Sequence, residues 1–165
     1  MFDLTVAAIQ SKIIWEDVEA NLTLFGTKID SIKSKVDLIV LPEMFTTGFS
    51  MNTGLAEGMD GKTVKWIVDK AKAKNCCIMG SVMLKENGAF YNRMLIAKSD
   101  GEILTYDKRH LFTLSGEQNY YSRGEKQVTF ELKYWKICPL VCYDLRFPVW
   151  SRNTSEIDLY IYVAN

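Results

Sequence analysis

The sequence has no excess of either charge. Its twenty basic and twenty acidic residues cancel, and neither sign collects in a stripe or a block. A strongly basic face is typical of nucleic-acid-binding proteins, and a block of like charges is typical of interaction tails and membrane-surface segments. The charge pattern therefore predicts no nucleic-acid partner and no membrane partner.

Long apolar runs and a secretory signal are also missing. A helix that crosses a bilayer needs about 20 consecutive apolar residues, and no run in this sequence approaches that length. The first ten residues, MFDLTVAAIQ, contain no basic stretch and include Asp3. A signal peptide opens with basic residues, so this segment is not expected to direct secretion.

Cysteine spacings typical of disulfides or zinc sites are absent as well, and so are histidine clusters. The chain has four cysteines, Cys76, Cys77, Cys138 and Cys142, and a single histidine, His110. The cysteines show neither the spacing of a disulfide framework nor the CxxC motif of a zinc site. The sequence therefore predicts no metal site, and it predicts a protein of the reducing cytoplasm.

What the sequence does contain is enough apolar material for one core. Of its 165 residues, 48% are hydrophobic and 24% are charged, which is the balance of a globular domain. No repeat, low-complexity segment or linker divides the chain, so we expect a single domain over residues 1–165. The chain stops at Asn165, directly after a predicted strand. We therefore expect that this domain lacks its C-terminal portion.

Apolar periodicity divides the chain into strands and helices. Residues 17–35 and 63–74 carry apolar positions three and four apart, which predicts two helices that pack by one face. The pair Asn87-Gly88 predicts a hairpin turn, because both residues accept positive φ. Strands are predicted at 4–10, 37–41, 76–84, 89–98, 102–106, 128–132, 136–141 and 158–163, and a short helix at 148–155. This order predicts an α/β protein with a mixed sheet and helices on one face.

The segment 136–148, KICPLVCYDLRFP, predicts a buried strand and then a sharp turn into a helix that begins near Pro148. Cys142 would then lie at the carboxyl end of a sheet, where ligands of open α/β folds bind. A turn of this kind presents the nucleophilic serine of other hydrolases. Free cysteine is also among the most buried residue types. This segment alone leaves open whether Cys142 is a nucleophile or a packed apolar side chain.

Two further polar residues follow predicted strands. Glu43 ends the run LIVLPE, and Lys108 lies in YDKRH. Each alone would be an ordinary surface charge, but with Cys142 they could form an acyl-transfer site. A cysteine thiolate is the nucleophile, a lysine cation lowers the thiol pKa, and a glutamate takes the proton. His110 could pair with Cys142 instead, although packing in its loop explains it equally well.

Three blocks carry these residues in order: LPEMFTTGF, YDKRHLF and LVCYDLRFP. Together they resemble the signature blocks of the carbon–nitrogen hydrolase (nitrilase) superfamily. The wording around them, with TTGFSMN, YNRMLIAKSDG and CYDLRFPVWSRN, is most similar to its omega-amidase branch. The resemblance runs from Val6 to Asn165. It implies a four-layer α-β-β-α sandwich that commonly pairs into homodimers.

The resemblance also implies roles for individual residues. Glu43 would be the general base, Lys108 the active-site lysine and Cys142 the nucleophile. Glu117, in the loop after HLF, resembles the additional active-site glutamate of the family. We expect the oxyanion to be held by Lys108 and by the backbone N–H of Tyr143. No cofactor and no metal ion are implied.

The implied substrate is a small dicarboxylate monoamide such as 2-oxoglutaramate, hydrolysed through a thioester to the acid and ammonia. Its free carboxylate requires a cation, and Arg146 is a candidate because a guanidinium binds a carboxylate through two hydrogen bonds. Arg146 could equally lock the turn by binding backbone carbonyls. Three alternatives stay open: a nitrilase or carbamoyl-amide hydrolase, a truncated non-catalytic module, and a redox-sensing protein that uses Cys76, Cys77 and Cys142.

Overall fold

The structure is a computed structural model that describes residues 3–153 and 156–165. Within these ranges the α-helices are α1 (Val18–Ser31) and α2 (Lys62–Lys74). The strands are β1 (Val6–Ala8), β2 (Leu38–Val40), β3 (Cys77–Glu86), β4 (Ala89–Ala97), β5 (Ile103–Asp107), β6 (Phe130–Leu132), β7 (Trp135–Val141) and β8 (Leu159–Val163). Short 3-10 helices occur at Thr53–Leu55, Thr113–Ser115, Glu117–Asn119 and Cys142–Arg146. Neither α-helix in the described part is long and apolar enough to cross a bilayer.

The strands form two sheets, as the α-β-β-α sandwich implied by the resemblance requires, and both sheets are mixed. The first has the order β1-β2-β3-β4-β5. Strands β1, β2 and β3 are parallel to one another, whereas β4 pairs antiparallel with both of its neighbours, β3 and β5. In the second, β7 pairs with β6 antiparallel and with β8 parallel. Apolar runs identify strands but do not reveal which sheet a strand joins, so the expectation of two sheets came from the resemblance. The α/β class itself is confirmed.

The core has two layers, one on each face of the first sheet. On one face, the apolar sides of both helices pack against residues such as Ile39 and Ile78. On the other face, Met79 and Ile96 of the first sheet share a core with Leu140 of the second. The helices therefore lie on one face as predicted, and the order of layers is helix, sheet, sheet. These are three of the layers that the sandwich implied by the resemblance requires.

Local sequence explains where α1 starts and where α2 stops. The side chain of Asp17 caps α1 by accepting a hydrogen bond from Ala20 N at 3.0 Å. Helix α1 ends at Ser31 rather than near residue 35, because Ile32 has an extended conformation with ψ of 111°. Asn75 ends α2 in the left-handed region, where its N–H bonds the carbonyls of Ala71 and Lys72.

Turn chemistry was predicted well at one place and poorly at another. Asn87 and Gly88 both have positive φ, 50° and 80°, and they join β3 to β4 as expected. The helix predicted over residues 148–155 is wrong for its described part. The chain instead enters a 3-10 helix directly at Cys142, and turns follow at 148–151. Ser155, the predicted end of that helix, lies outside the described residues.

Candidate active site

The ends of three strands bring the predicted chemical groups together. Glu43 follows β2, Lys108 directly follows β5, and Cys142 directly follows β7. The Nζ atom of Lys108 lies 2.9 Å from Oε1 of Glu43. Glu43 also lies close enough to Cys142 for its charge to raise the pKa of the thiol. Two sheets therefore contribute to one buried constellation, with Glu43 and Lys108 from the first and Cys142 from the second.

Glu117 joins the same constellation from the irregular segment after β5. Its Oε2 atom lies 3.0 Å from the Nζ atom of Lys108, and its Oε1 atom lies 3.2 Å away. The Oε2 atom also accepts the backbone N–H of Phe112. Glu117 begins a 3-10 helix and is fully buried. Both of its oxygens are thus occupied by donors from the protein.

Two buried polar residues in the strands organise the carboxylates, and the sequence analysis missed both. The Nδ2 atom of Asn92 donates to Oε1 of Glu43 at 2.9 Å and to Oε1 of Glu117 at 3.3 Å. Its Oδ1 atom accepts from the Ser81 hydroxyl at 2.7 Å, and Ser81 Oγ accepts the Met44 N–H. Asn92 and Ser81 are fully buried in β4 and β3. Polar residues inside otherwise apolar strands were the signal that could have revealed them.

The charges of this constellation do not cancel. Two carboxylates surround the single ammonium of Lys108, and the three side chains are at most 2% exposed. Burial acts to lower the pKa of Lys108, but the charges of Glu43 and Glu117 outweigh it and raise that pKa. Lys108 therefore stays an ammonium ion. The group carries a net charge of about −1 when both carboxylates are ionised.

Cys142 is a thiol at rest in this environment. Burial and then the Glu43 charge raise the pKa of Cys142 to about 11, although the Lys108 charge acts to lower it. The sequence analysis expected the lysine to lower the thiol pKa. That contribution is present, but desolvation and the nearby carboxylate are stronger. A thiol that is protonated at neutral pH needs a base to remove its proton during attack.

The backbone at Cys142 is strained. Its φ is 44°, in the left-handed region that residues with a side chain rarely adopt. Tyr143 is the next residue of the 3-10 helix, half-buried, at a position where a backbone N–H lacks an intrahelical acceptor. An oxyanion donor needs such a free N–H, so the role predicted for Tyr143 is consistent with this position.

His110 and Arg146 lie outside the constellation. The Nδ1 atom of His110 is 2.8 Å from Oδ1 of Asp144, and the ring stacks on Phe147 at 3.8 Å between centroids. Cys142 therefore has Glu43 as its partner, and His110 has Asp144. Arg146 is exposed at the end of the 3-10 helix, and its side chain makes no hydrogen bond or ion pair with residues 3–153 or 156–165. Its predicted role in substrate binding stays a prediction.

The other three cysteines show no sign of reactivity. All four cysteines are free, and Cys76, Cys77 and Cys138 are buried. Burial raises the pKa of Cys77 to about 12 and that of Cys138 to about 11. These three thiols are buried, whereas Cys142 is only partly buried. A thiol that an oxidant cannot reach is a poor redox sensor, which disfavours the redox-sensing alternative. Among the described residues, no group of His, Cys, Asp and Glu side chains is arranged to hold a metal ion.

A cavity of about 590 Å³ opens beside the constellation. Three of its lining residues directly follow the chemical residues in the chain: Arg109 after Lys108, Gln118 after Glu117, and Tyr143 after Cys142. Arg123 lines the same cavity. Its volume suits a small organic substrate.

Comparisons with known proteins point to one family. The family model described as carbon-nitrogen hydrolase matches residues 5–165. The chain is 44% identical over 165 residues to the omega-amidase YafV of Yersinia enterocolitica, covering all of this chain and 64% of that protein. It is 36% identical over 153 residues to the 2-oxoglutaramate amidase of Bacillus subtilis, covering 90% of this chain and 59% of that protein. The chain thus spans less than two thirds of the length of these relatives.

Solved structures agree with this match. A CN-hydrolase superfamily protein from Xanthomonas campestris, crystallised with an arsenic adduct in its active site, is 40% identical with a TM-score of 0.96. The match covers all of this chain and 66% of the Xanthomonas chain. Nit3 of Saccharomyces cerevisiae, a member of branch 10 of the nitrilase superfamily, is 25% identical with a TM-score of 0.85 over 98% of this chain and 64% of its own. The chain belongs to the carbon–nitrogen hydrolase family.

Proposed function

We propose that this protein is a cysteine amidase that hydrolyses the terminal carboxamide of a small dicarboxylate monoamide, such as 2-oxoglutaramate, to the acid and ammonia. The observation that carries the proposal is the position of Glu43, which binds the Lys108 ammonium at 2.9 Å and lies near enough to Cys142 to raise the pKa of its thiol. A nucleophile, a base and a cation at one place are the groups that acyl transfer needs. The relatives named omega-amidase and 2-oxoglutaramate amidase support the choice of substrate.

In the first half-reaction, Cys142 attacks the carboxamide carbon while its proton passes to Glu43. A new C–S bond forms, and the carbonyl oxygen becomes an oxyanion that the Lys108 ammonium and the Tyr143 N–H stabilise. Each preorganised donor of this kind contributes roughly 3–4 kcal/mol to transition-state stabilisation. Glu43 then gives the proton to the amide nitrogen, the C–N bond breaks and ammonia leaves. A thioester on Cys142 remains.

In the second half-reaction, water adds to the thioester carbon and Glu43 takes a proton from it. The C–S bond breaks, the acid leaves, and the proton on Glu43 returns to the Cys142 sulfur. Glu43 acts as base and acid in turn because the two half-reactions use it in opposite directions. Glu117 holds the Lys108 ammonium, since its oxygens already accept hydrogen bonds from Lys108.

The high thiol pKa favours proton transfer during attack over a preformed thiolate. A resting thiolate would add a further negative charge to a constellation that already contains Glu43 and Glu117. Transfer to Glu43 instead moves the negative charge to the substrate oxygen, beside Lys108. Lys108 thus stabilises negative charge at the position where it forms during attack.

The cavity supports a substrate that carries a carboxylate. Arg109 and Arg123 line it, and its lining within the described part of the chain includes no aspartate or glutamate. Arg109 is already engaged, because its Nη1 atom donates to the Gly124 carbonyl at 3.0 Å. Arg123 is exposed, so it competes with Arg146 as the cation that binds the substrate carboxylate.

Separate Arg123→Gln and Arg146→Gln variants distinguish these two cations. The variant that lacks the binding cation should show a raised KM for 2-oxoglutaramate and unchanged kcat/KM for an uncharged amide such as butyramide. Arg152→Gln, an exposed arginine outside the cavity, is the matched control. An unchanged KM in both variants would contradict carboxylate recognition by either residue.

We further propose that the protein works in the reducing cytoplasm as a single domain and as a homodimer. Free cysteines support the compartment. Exposed apolar side chains at Leu145 and Val149, 62% and 77% accessible, support association with a second copy. Analytical ultracentrifugation of the purified chain tests the dimer, and a single monomeric species at micromolar concentration would contradict it.

The amidase proposal is tested by ammonia release from 2-oxoglutaramate. Wild-type protein should release ammonia, and Cys142→Ala should reduce that release to background with its circular dichroism unchanged. Cys138→Ala, a buried cysteine elsewhere on the same sheet, should retain turnover. Hydrolysis of nitriles or N-carbamoyl amides without activity on 2-oxoglutaramate would contradict the amidase assignment in favour of another member of the family.

A further inference from the structure

The chemical groups of this protein come from two separate sheets. Lys108 follows β5 of the first sheet, and Cys142 follows β7 of the second. A small slide of one sheet over the other would separate the lysine from the nucleophile. Misplacement of reacting groups by about 1 Å can reduce a rate about 100-fold. A link between the ends of β5 and β7 would prevent such a slide.

Asp144 makes contacts that fit such a link. It is fully buried and accepts hydrogen bonds from both sides of the junction. On the β7 side, its Oδ2 atom accepts the N–H of Val141, the residue before Cys142, at 3.1 Å. On the β5 side, Oδ2 accepts from the Tyr106 hydroxyl at 2.7 Å, and Oδ1 accepts the backbone N–H of His110 at 2.9 Å. Tyr106 and His110 lie two residues before and after Lys108.

Further contacts strengthen the β5 side of this junction. The Nδ1 atom of His110 lies 2.8 Å from Oδ1 of Asp144. Since a carboxylate only accepts, this contact makes Nδ1 the protonated ring nitrogen. The Tyr106 oxygen also accepts from the backbone N–H of Arg109 at 3.3 Å and from the Trp150 indole at 3.1 Å. The segment that carries Lys108 is thus tied to Asp144 on both sides of the lysine.

We propose that Asp144 is a positioning residue that holds the strained Cys142 turn against the Lys108 segment by joining the ends of the two sheets. It acts through geometry, since its partners are backbone N–H groups, a phenol and an imidazole rather than the reacting thiol. The charges that act on the Cys142 thiol are those of Glu43, Lys108 and Glu117. The proposal rests on the proposed amidase function only for its kinetic readout.

The test compares Asp144→Asn with wild type by turnover of 2-oxoglutaramate and by alkylation of each cysteine with iodoacetamide at pH 8. The asparagine keeps the size of the side chain but replaces one acceptor oxygen with an NH₂ donor. That donor faces groups that are themselves donors, so the hydrogen bonds to that atom are lost. A released turn should lower kcat about 100-fold and leave KM within about threefold, because binding does not need the aligned thiol. It should also raise the alkylation rate of Cys142 about tenfold, since a more solvated thiol ionises more readily.

Tyr106→Phe is the second variant, because it keeps the aromatic packing and removes one donor to Asp144. It should lower kcat about tenfold, in line with the loss of one hydrogen bond. Asp158→Asn is the matched control. Asp158 accepts the N–H of Lys136 at 2.8 Å near the opposite end of β7, so its loss should leave kcat and Cys142 alkylation unchanged.

Peptide-level mass spectrometry separates positioning from general stability. Faster alkylation of Cys142 alone, with lower kcat and unchanged KM, supports the proposal. Faster alkylation of all four cysteines in both variants would assign Asp144 to overall stability and overturn it, as would wild-type kcat and wild-type Cys142 reactivity. If wild-type protein releases no ammonia, the amidase proposal fails, and the alkylation comparison still decides the role of Asp144.

Discussion

Two groups of buried residues, each centred on carboxylate side chains, lie at the same end of the sheets. They differ in the partners that surround the carboxylates. Glu43 and Glu117 share the cation of Lys108, with Asn92 bridging them. Asp144 is surrounded by backbone N–H groups, a tyrosine hydroxyl and a histidine ring nitrogen. Both groups are buried, but the charges that act on the pKa of the Cys142 thiol are those of the first group.

This difference in partners indicates different roles: proton transfer for the first group and the positioning of chain segments for the second. A carboxylate beside an ammonium and a thiol can exchange a proton with the thiol, because the neighbouring charges set the pKa values of both groups. A carboxylate saturated by fixed donors instead holds the segments that carry those donors. We therefore expect substitutions in the Glu43 group to change the thiol pKa and the rate together. Substitutions at Asp144 should act through the position of Cys142.

The largest effect is expected for Glu43→Gln. Without its general base the enzyme should lose about 10³-fold in kcat, within the range of about 10²–10⁴ for such groups. The charge that raises the Cys142 pKa is removed at the same time. The alkylation rate of Cys142, followed against pH, should therefore rise at lower pH than in wild type, where burial and the Glu43 charge raise the pKa of the thiol to about 11.

The matched control for Glu43→Gln is Glu102→Gln. Glu102 pairs with Lys98 at 2.6 Å, but this pair is exposed. Removing an exposed pair should leave both kcat and the Cys142 titration unchanged, because solvent screens its charges. A Glu43→Gln protein with an unchanged Cys142 titration would contradict the electrostatic coupling of these two residues.

Glu117→Gln tests how the first group controls the charge of Lys108. The raised pKa of Lys108 depends in part on the Glu117 charge, so this substitution should lower it. The alkaline limb of the pH–rate profile should move to lower pH, since less base is then needed to deprotonate the lysine. We expect kcat to fall about 30-fold, as for loss of a charged hydrogen bond. An alkaline limb that keeps its position would show that Lys108 does not control it.

A smaller effect is expected for Asn92→Ala. Glu43 and Glu117 lose their shared neutral donor, and the Ser81 hydroxyl loses its acceptor. We expect kcat to fall about tenfold and the free energy of unfolding to fall by about 1–3 kcal/mol, because buried polar groups are left unpaired. Urea denaturation and steady-state kinetics measure the two quantities. Unchanged kinetics would remove Asn92 from the active site.

Features of the fold that depend on neighbouring residues could be predicted from the sequence, whereas features that depend on contacts between distant segments could not. The positions of Glu43, Lys108 and Cys142 follow from short strands, only 3–7 residues long, that precede them. Their assembly required knowledge of the sheets, and apolar runs did not reveal that there were two. The 3-10 helix at Cys142 was missed because it depends on the contact between Asp144 and Val141 N, which no local pattern reports.

The residues for which we propose chemical roles could be named from the sequence, whereas those for which we propose positional roles could not. Glu117 could be named only through resemblance, since GEQN has no strand before it to place it. Asp144 lies in YDLRF beside exposed residues, so nothing in its surroundings indicates complete burial. Its importance becomes visible only when the donors from Tyr106, His110 and Val141 are seen to converge.

The smallest effect is expected for Asp17→Ala, at a carboxylate outside both groups. Asp17 is exposed and caps α1, so its loss should reduce the free energy of unfolding by about 1 kcal/mol. Turnover and Cys142 alkylation should not change. A kinetic effect as large as that of Asn92→Ala would show that general stability, rather than the buried groups, controls the rate.

The most direct test of the central claim is acid-quenched mass spectrometry during turnover of 2-oxoglutaramate. A thioester mechanism predicts an added acyl group on the peptide that contains Cys142, present only with substrate and absent in Cys142→Ala. Ammonia release without any acyl group on Cys142, or with the acyl group on another residue, would contradict the claim that Cys142 is the nucleophile activated by Glu43.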